Sequence, residues 1–445
     1  MFHQASRRRF LQTSAAAGVG FWVAGGLQAK ESNSPNEKIR FASIGVEGKG
    51  ASDSEDAGRH GDMVAICDID DKKLDAASKR FEGAKKYNDF RKMLDEMGSG
   101  IDAVTVSTPD HTHAAAALMA MRLGKHCFCQ KPLTHSLHEA RLMAGVAREK
   151  KVATQMGNQG TANDSLRKAA AVLKSGALGT IQECHVWTNR PIWKQGIPRP
   201  QTIAVPPYLH WEEWLGPAPY RPFGDGYHPF SWRGWWDFGT GALGDMACHT
   251  LNMPFMGLNL RDPISVQAET SGHNGDSYPK WSTIHFAFPS TPERAALTYA
   301  WYDGGNDNKQ KPGKDMLDGK EPAASGCLVI GEKGKLYAPG DYAENPIEYF
   351  GGIEEPKVEW IKSPGHFQEW VRAIRGGEPA MSNFPDYSGA LTETVLLGNL
   401  AVWAAPEPGL GKKIEWDAKN LVATNAPEVM KIVKPTFRAG YSIDV

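Results

Sequence analysis

The 445-residue sequence carries almost no excess charge, with 50 Lys+Arg against 51 Asp+Glu, and no stripe of basic residues. That balance leaves no electrostatic footprint for nucleic acid or an anionic membrane surface. Cysteine is scarce: six in the chain, at positions 67, 127, 129, 184, 248 and 327, with no Cys-x-x-Cys pair. A disulfide scaffold, a zinc ribbon and a thioredoxin-type centre are thereby excluded. Neither a Gly-x-Ser-x-Gly elbow nor a His/Glu zinc motif offers a hydrolytic chemistry. What the chain does have is 47 glycines, 29 prolines and 14 tryptophans, which implies many shaped loops. Its length suits about three domains, or equally two large α/β ones.

The N-terminus reads as an export signal. Residues 6–12 are Ser-Arg-Arg-Arg-Phe-Leu-Gln, followed by an uncharged, Ala/Gly-rich stretch to Ala29. A basic start, a modest apolar run and small residues near its end describe a signal peptide. The paired arginines before Phe10-Leu11 resemble the twin-arginine pattern, with Gln12 in place of its usual lysine. Cleavage is expected after Gly26 or Ala29, leaving no stable membrane span and an exported, periplasmic protein. Four glycines between Leu11 and Ala29 make that stretch a poor permanent anchor.

From Lys38 onward short apolar runs alternate with helical stretches. The runs are Ile39–Ile44, Met63–Cys67, Ala103–Val106, His126–Cys129 and Val152–Met156; helices are expected to about Phe81, over 112–123 and over 137–150. This grammar predicts parallel βαβ units, hence a doubly wound Rossmann domain over residues 38–160. After Gly160 the pattern changes to a helix over 164–174, a wide alternating strand over 180–189 and further strand-like runs at 264–268, 283–288, 296–301, 327–330 and 335–337. Late helices are expected at 366–375 and 388–403. Residues 161–405 are thus read as a second domain, 406–445 as a C-terminal extension, and 304–321 as an exposed polar loop. Residues 187–238 hold nine prolines and seven tryptophans, too Pro-rich for regular structure and too aromatic for a flexible linker.

Gly45-Val46-Glu47-Gly48-Lys49-Gly50 follows the first strand, where a dinucleotide fingerprint belongs. Gly45 and Gly50 fit its first and last glycines, but Glu47 stands where the backbone normally approaches a pyrophosphate. Gly48 is placed to supply that approach instead, with Lys49 beside it to offset charge. Asp68, about 20 residues on at the end of the next strand, suits a ribose 2′-hydroxyl and repels a 2′-phosphate, favouring NAD over NADP. An ordinary tight turn with a helix-capping aspartate would read the same.

Further segments narrow the choice. Ser107-Thr108-Pro109-Asp110-His111-Thr112-His113 and Cys129-Gln130-Lys131-Pro132 each follow a strand, and Gly241-Ala242-Leu243-Gly244-Asp245-Met246-Ala247-Cys248-His249 comes far downstream. In this order, from about Lys38 to Trp403, they resemble the Gfo/Idh/MocA oxidoreductases, with Gln130 where that family usually has Glu before Lys-Pro. The resemblance implies a Rossmann domain joined to an α+β domain with a large, open, mostly antiparallel sheet, and hydride transfer to NAD. It also implies cofactor contacts at Thr108, Pro109, His111, His113, Gln130, Lys131, Asn158 and Gln159. Independently, Asp245 and His249 are spaced i, i+4 and share a helix face. A carboxylate beside an imidazole makes a general base near neutral pH, and Lys131 sits at a parallel strand's carboxyl end, where such sheets place ligands. A surface ion pair or a core histidine would give the same spacing. His111-x-His113, His135-x-x-His138 and Asp245-x-x-x-His249 have ligand-like spacing too, but no metal is expected.

The aromatic stretch points to a carbohydrate or polyol, since flat rings stack on sugar faces. Arg190, Trp193, Trp232, Arg233 and Trp236 are candidate substrate contacts with His249, while about half the rings, Trp211 and Trp214 included, are expected to pack the loop itself. Outside the cytoplasm a released NADH could not be replaced, so NAD is expected to stay tightly bound and be recycled internally. Such a protein would be a sugar oxidoreductase, expected to be homo-oligomeric. An NAD-dependent glycosidase or lyase working by transient oxidation of a sugar carbon is the alternative. A non-catalytic carbohydrate-binding protein with a decayed cofactor site is the reading from another class.

Overall fold

Parallel strands buried on both faces need continuous apolar runs, and the first sheet is built of them. The computed structural model describes residues 38–444, so the expected twin-arginine signal at 1–29 lies outside the described residues. Six strands, β1 (Ile39–Ile44), β2 (Gly61–Cys67), β3 (Lys85–Tyr87), β4 (Ala103–Val106), β5 (His126–Cys129) and β6 (Thr154–Met156), form an all-parallel sheet in the order β3-β2-β1-β4-β5-β6. The chain reverses direction of growth between β1 and β4, the crevice where doubly wound sheets bind ligands. β3 and the helix Phe90–Met97 that follows it have no counterpart in the expected pattern. Lys-Lys-Tyr on an edge strand buries one side chain, so no apolar run marks it.

The second domain begins with the helix Asp164–Lys174 and is built on ten strands: β7 (Ile181–Trp187), β8 (Ser265–Thr270), β9 (Ser282–Phe288), β10 (Leu297–Tyr302), β11 (Gly326–Gly331), β12 (Gly334–Pro339), β13 (Glu348–Phe350), β14 (Gly409–Leu410), β15 (Ile414–Asp417) and β16 (Val422–Ala423). Their order is β13-β12-β11-β7-β10-β9-β8-β15-β16, with β14 also on β8. Only β7 and β10 pair in parallel. The segment after residue 405, expected as an extension, therefore adds strands to this sheet's edge. Helices Gly241–Thr250 and Gly389–Trp403 pack together, and the second also meets β8 and the Rossmann helix Leu137–Lys150. The helix Gly389–Trp403 is mostly apolar and mostly buried, as suits a helix between two layers.

Two loops acquire cores of their own. Between Trp187 and the helix at Gly241, Trp211, Trp214, Tyr227, Trp235 and Phe238 bury one another, with Trp211 and Trp214 stacked at 4.5 Å. Residues 304–321, expected as an exposed loop, instead place Leu317 in a small core with Trp187 and Tyr337. Asn308 is buried there as well and donates to the Ser282 carbonyl at 3.0 Å.

Candidate active site

The carboxyl ends of β1, β2, β4 and β5 open into a cavity of about 560 Å³, within the range that holds cofactor-sized ligands. The turn after β1 needs glycine twice. Gly45 has φ +81°, and a Cβ there would lie 2.4 Å from the Ser107 carbonyl oxygen; a Cβ on Gly50 would lie 2.2 Å from the Gly45 oxygen. Gly45→Ala is therefore expected to destabilise the fold by at least about 1 kcal/mol, which thermal unfolding of the ligand-free protein would register. Gly48 also has positive φ, and a Cβ there would meet nothing. The helix Lys49–His60 starts after it without a side-chain cap. This N-terminal end, which borders the cavity at Gly48 and Lys49, suits an approaching pyrophosphate. Glu47 borders the same cavity, and its carboxylate is paired there with Lys73 at 3.4 Å, which offsets its charge.

Asp68 borders the cavity and accepts from the backbone N–H of Val46 and of Asp70, both at 3.0 Å. Burial outweighs these bonds and pushes its carboxyl up to about 6. Below the turn lies a group that sequence reasoning missed. Asp53, 1% exposed, accepts from Lys49, from the Ser107 hydroxyl at 2.7 Å and from the Gln130 amide at 2.8 Å. One buried carboxylate thus joins the glycine turn, the loop after β4 and the end of β5. The only hint in the sequence is Gln130 itself, a neutral donor where the resembling family carries an acid.

Lys131 and Asp245 come together, but not as the i, i+4 spacing suggests. The Lys131 ammonium donates to the Asp245 side chain at 2.8 Å and to its backbone carbonyl at 2.7 Å, and Arg233 donates to the same carboxylate at 3.1 Å. Burial alone would raise the Asp245 carboxyl, yet Lys131 and Arg233 prevail and hold it at about 2. Both side-chain bonds fall on Oδ1, and Asp245 makes no hydrogen bond to His249. His249 is 3% exposed, its Nδ1 has no protein partner, and its ring meets Tyr342 edge-on at 4.6 Å. Burial, with help from Lys131 and against Asp245, keeps the imidazole neutral well below its ordinary range. The result is a fixed ammonium, two of whose donors are taken, facing an uncharged imidazole in one cavity wall.

Of the other expected residues, Gly45, Glu47, Gly48, Lys49, Asp68, Thr108, Pro109, Gln130, Gln159, Trp232 and Arg233 border this cavity, as do Phe230 and Tyr342, which carried no sequence signal. Gly50 supports the turn from beneath. His111 and His113 do not line the cavity and need correcting. His113 lies 2.9 Å from the carbonyls of Pro132 and Thr108, and His111 lies 3.1 and 2.9 Å from those of Phe238 and Trp214. Burial pushes them down to about 4 and about 3. Each neutral ring can donate to only one of its two carbonyls, and serves as a strut between backbone segments. Asn158 is fully buried and accepts from Ser382.

Arg190 is paired with Asp341 at 3.0 Å, next to Tyr342, and Trp193 is buried with its N–H on Gln195. Trp236 stacks on Tyr278 at 3.8 Å and borders a separate, smaller cavity. None of these three reaches the main cavity. Arg233 lies 4.2 Å over the Trp232 ring, a cation–aromatic contact that fixes both at the mouth. The histidines with ligand-like spacing are apart: His135 meets the Gly239 carbonyl and His138 meets Asp444. Among the described residues no group of three or more His, Cys, Asp or Glu could hold a metal ion.

Two models of one oxidoreductase family match the chain: the NAD-binding Rossmann fold over residues 39–158 and the C-terminal alpha/beta domain over residues 163–443. Levoglucosan dehydrogenase of Pseudarthrobacter phenanthrenivorans is 27% identical over 178 residues, 40% of this chain and 37% of that protein. Inositol 2-dehydrogenase 2 of Saccharopolyspora erythraea is 31% identical over 28% of this chain and 36% of its own. The chain thus spans little more than a third of the length of these relatives. Among solved structures, the WlbA dehydrogenase of Bordetella pertussis, in complex with NADH and UDP-GlcNAcA, superposes with a TM-score of 0.58 at 17% identity, covering 86% of this chain and 99% of that one. At that identity the likeness establishes the fold.

Proposed function

The chain belongs to the Gfo/Idh/MocA oxidoreductase family, and from that premise we propose that it is an NAD-dependent oxidoreductase acting on a sugar or sugar derivative. The observation that carries this reading is the partly buried Lys131–Asp245–Arg233 cluster, which borders the same cavity as neutral His249. The cavity's residues fit NAD: the glycine turn and uncapped helix suit its pyrophosphate, Asp68 a ribose hydroxyl, and Thr108, Pro109 and Gln130 the far half. Bound there, NAD supplies a hydride acceptor. Lys131, held in place by Asp245, has a donor left for a substrate hydroxyl oxygen and stabilises negative charge on it. His249 has an unprotonated nitrogen and can accept the hydroxyl proton. Trp232, Phe230 and Tyr342 offer the faces on which a pyranose stacks.

Sugar dehydrogenases recur among the relatives, and one solved structure of similar fold is an aldose–aldose oxidoreductase of Caulobacter crescentus, with a TM-score of 0.57 at 16% identity. An enzyme exported by the twin-arginine route, as the Arg-Arg pattern near residue 7 suggests, would need a cycle in which the cofactor never leaves. The alternative, a glycosidase or lyase using transient oxidation, is less favoured because Lys131 is retained.

The test is to purify the full chain without added nucleotide, denature it, and identify any released dinucleotide by mass spectrometry. Near-stoichiometric NAD is expected. An empty protein that binds NAD on addition would leave a conventional dehydrogenase, and one that refuses NAD would make it a binding protein. A second expectation concerns Asp68. Its carboxyl is raised to about 6, so it is ionised and repels a 2′-phosphate above that pH and is protonated below it. NADP should therefore gain affinity relative to NAD between pH 8 and pH 5. Titration of both nucleotides checks this, and Asp68→Asn should flatten most of the change, leaving only the part due to the phosphate's own titration.

A further inference from the structure

In a doubly wound sheet the acid at the end of the second strand meets a ribose, so the adenosine end of the cleft lies beyond it. Here that end is bordered by Ile69, Asn88 and Phe90 of the Rossmann domain. Its opposite wall comes from far along the chain: Glu213, His228 and Tyr441.

Two tethers hold this distant wall in place. The first is the loop before the aromatic core. The Asp71 N–H donates to the Tyr208 carbonyl at 2.9 Å and the His210 N–H to the Ile69 carbonyl at 2.8 Å, while Lys72 lies 3.5 Å from the centre of the Tyr208 ring. The second is the segment 438–444. Arg91 lies 4.1 Å over the Tyr441 ring, Arg122 donates to the Ile443 carbonyl, and Asp444 meets His138 and Lys434, both at 2.9 Å. Tyr441 and Ile443 are buried, at 7% and 1% exposure. Arg438 ties the two together: its backbone N–H donates to the Pro217 carbonyl, and its guanidinium donates to the Gly216 carbonyl at 2.9 Å and pairs with Glu212.

We propose that loop 208–230 and segment 438–444 form a clamp over the adenosine end of the cleft, and that this clamp sets how long NAD stays bound. The inference rests on the NAD reading above and adds the residues that retain the cofactor. Releasing the adenosine requires Tyr441 to leave Arg91 and Phe90, or the loop to leave Ile69 and Asp71. Both motions break buried contacts that cofactor binding itself does not need.

The test loads the full chain with NADH and follows loss of its fluorescence after dilution into excess NAD. Tyr441→Ala should release NADH at least ~10-fold faster, an effect expected in the off-rate rather than the on-rate. Tyr441→Phe, which keeps the ring, should behave as the parent. Should Tyr441→Ala not fold, Glu212→Gln, which cuts an exposed tie of Arg438, should still speed release measurably. Parent-like release from the folded variants would overturn the clamp while leaving NAD binding intact. A parent chain that carries no nucleotide as purified and also binds no NADH would overturn the NAD reading and the clamp with it.

Discussion

Replacing Lys131 with alanine is expected to lower kcat by about 10²–10⁴-fold, the usual range for losing a group that stabilises charge or moves a proton at the reacting oxygen. The bound nucleotide should remain, since the glycine turn, Asp68 and the loop after β4 do not depend on the lysine side chain. The variant also leaves the buried Asp245 carboxylate with Arg233 as its one remaining cation. Asp245→Asn should lower kcat less than Lys131→Ala does, because the ammonium survives and keeps its bond to the backbone carbonyl of residue 245. Single-turnover reduction of the bound nucleotide across a panel of aldoses and their derivatives separates these effects from product release. Equal turnover in Lys131→Ala and the parent would remove the lysine from the chemistry.

The second large effect is expected at a position no catalytic argument would select. Gln130→Glu would set a second carboxylate within hydrogen-bond distance of buried Asp53, where Gln130 now donates at 2.8 Å. Two carboxylates in one buried site cannot both ionise, so one must take up a proton or the loops must part. A loss of about 3 kcal/mol is expected, comparable to breaking a buried charged contact. Asp53→Asn alone removes the shared acceptor for Lys49, Ser107 and Gln130 and should cost about 1–3 kcal/mol. The double variant Asp53→Asn/Gln130→Glu restores one acid and one amide and should recover most of the loss, giving a coupling energy of about 3 kcal/mol, at the upper end of what contacting residues show. Denaturant unfolding of the four proteins measures it, and additive losses would show that Asp53 and Gln130 act independently.

Much of the fold was legible because its signals are local. Ile39–Ile44, Ala103–Val106 and the helix Leu137–Lys150 each announce themselves by an apolar run or a period, and each has the bounds that pattern predicts. The site was legible where chemistry fixes the residue type at a strand end: Lys131, Asp68 and the glycines. It was illegible where the partner lies far away in sequence. Nothing near Asp53 says that a helix side chain will meet Gln130, 77 positions on. The i, i+4 spacing of Asp245 and His249 places them on one face but cannot say that Lys131, 114 positions earlier, will claim the carboxylate. The aromatic loop misled in the same way. Trp232 and Trp236 look alike as sequence, yet one borders the main cavity and the other stacks on Tyr278 outside it. His111 and His113 occupy the expected helix start, but their rings turn to backbone carbonyls instead of the ligand cleft.

The contact between Arg122 and Ile443 joins residues 321 positions apart, and it bears on how the protein is made. A chain emerging from the ribosome can form its parallel sheet and glycine turn long before the segment that walls the cleft exists. Residues are added at roughly 5–20 per second, so the nascent Rossmann domain would have an open cleft for tens of seconds. During that interval nucleotide can exchange freely with the cellular pool. The proposed clamp over the adenosine end is complete only when residues 438–444 have docked beside loop 208–230. With the proposed clamp, cofactor retention begins only at the end of synthesis, and a chain cut short before Arg438 is expected to release its nucleotide faster than the full chain.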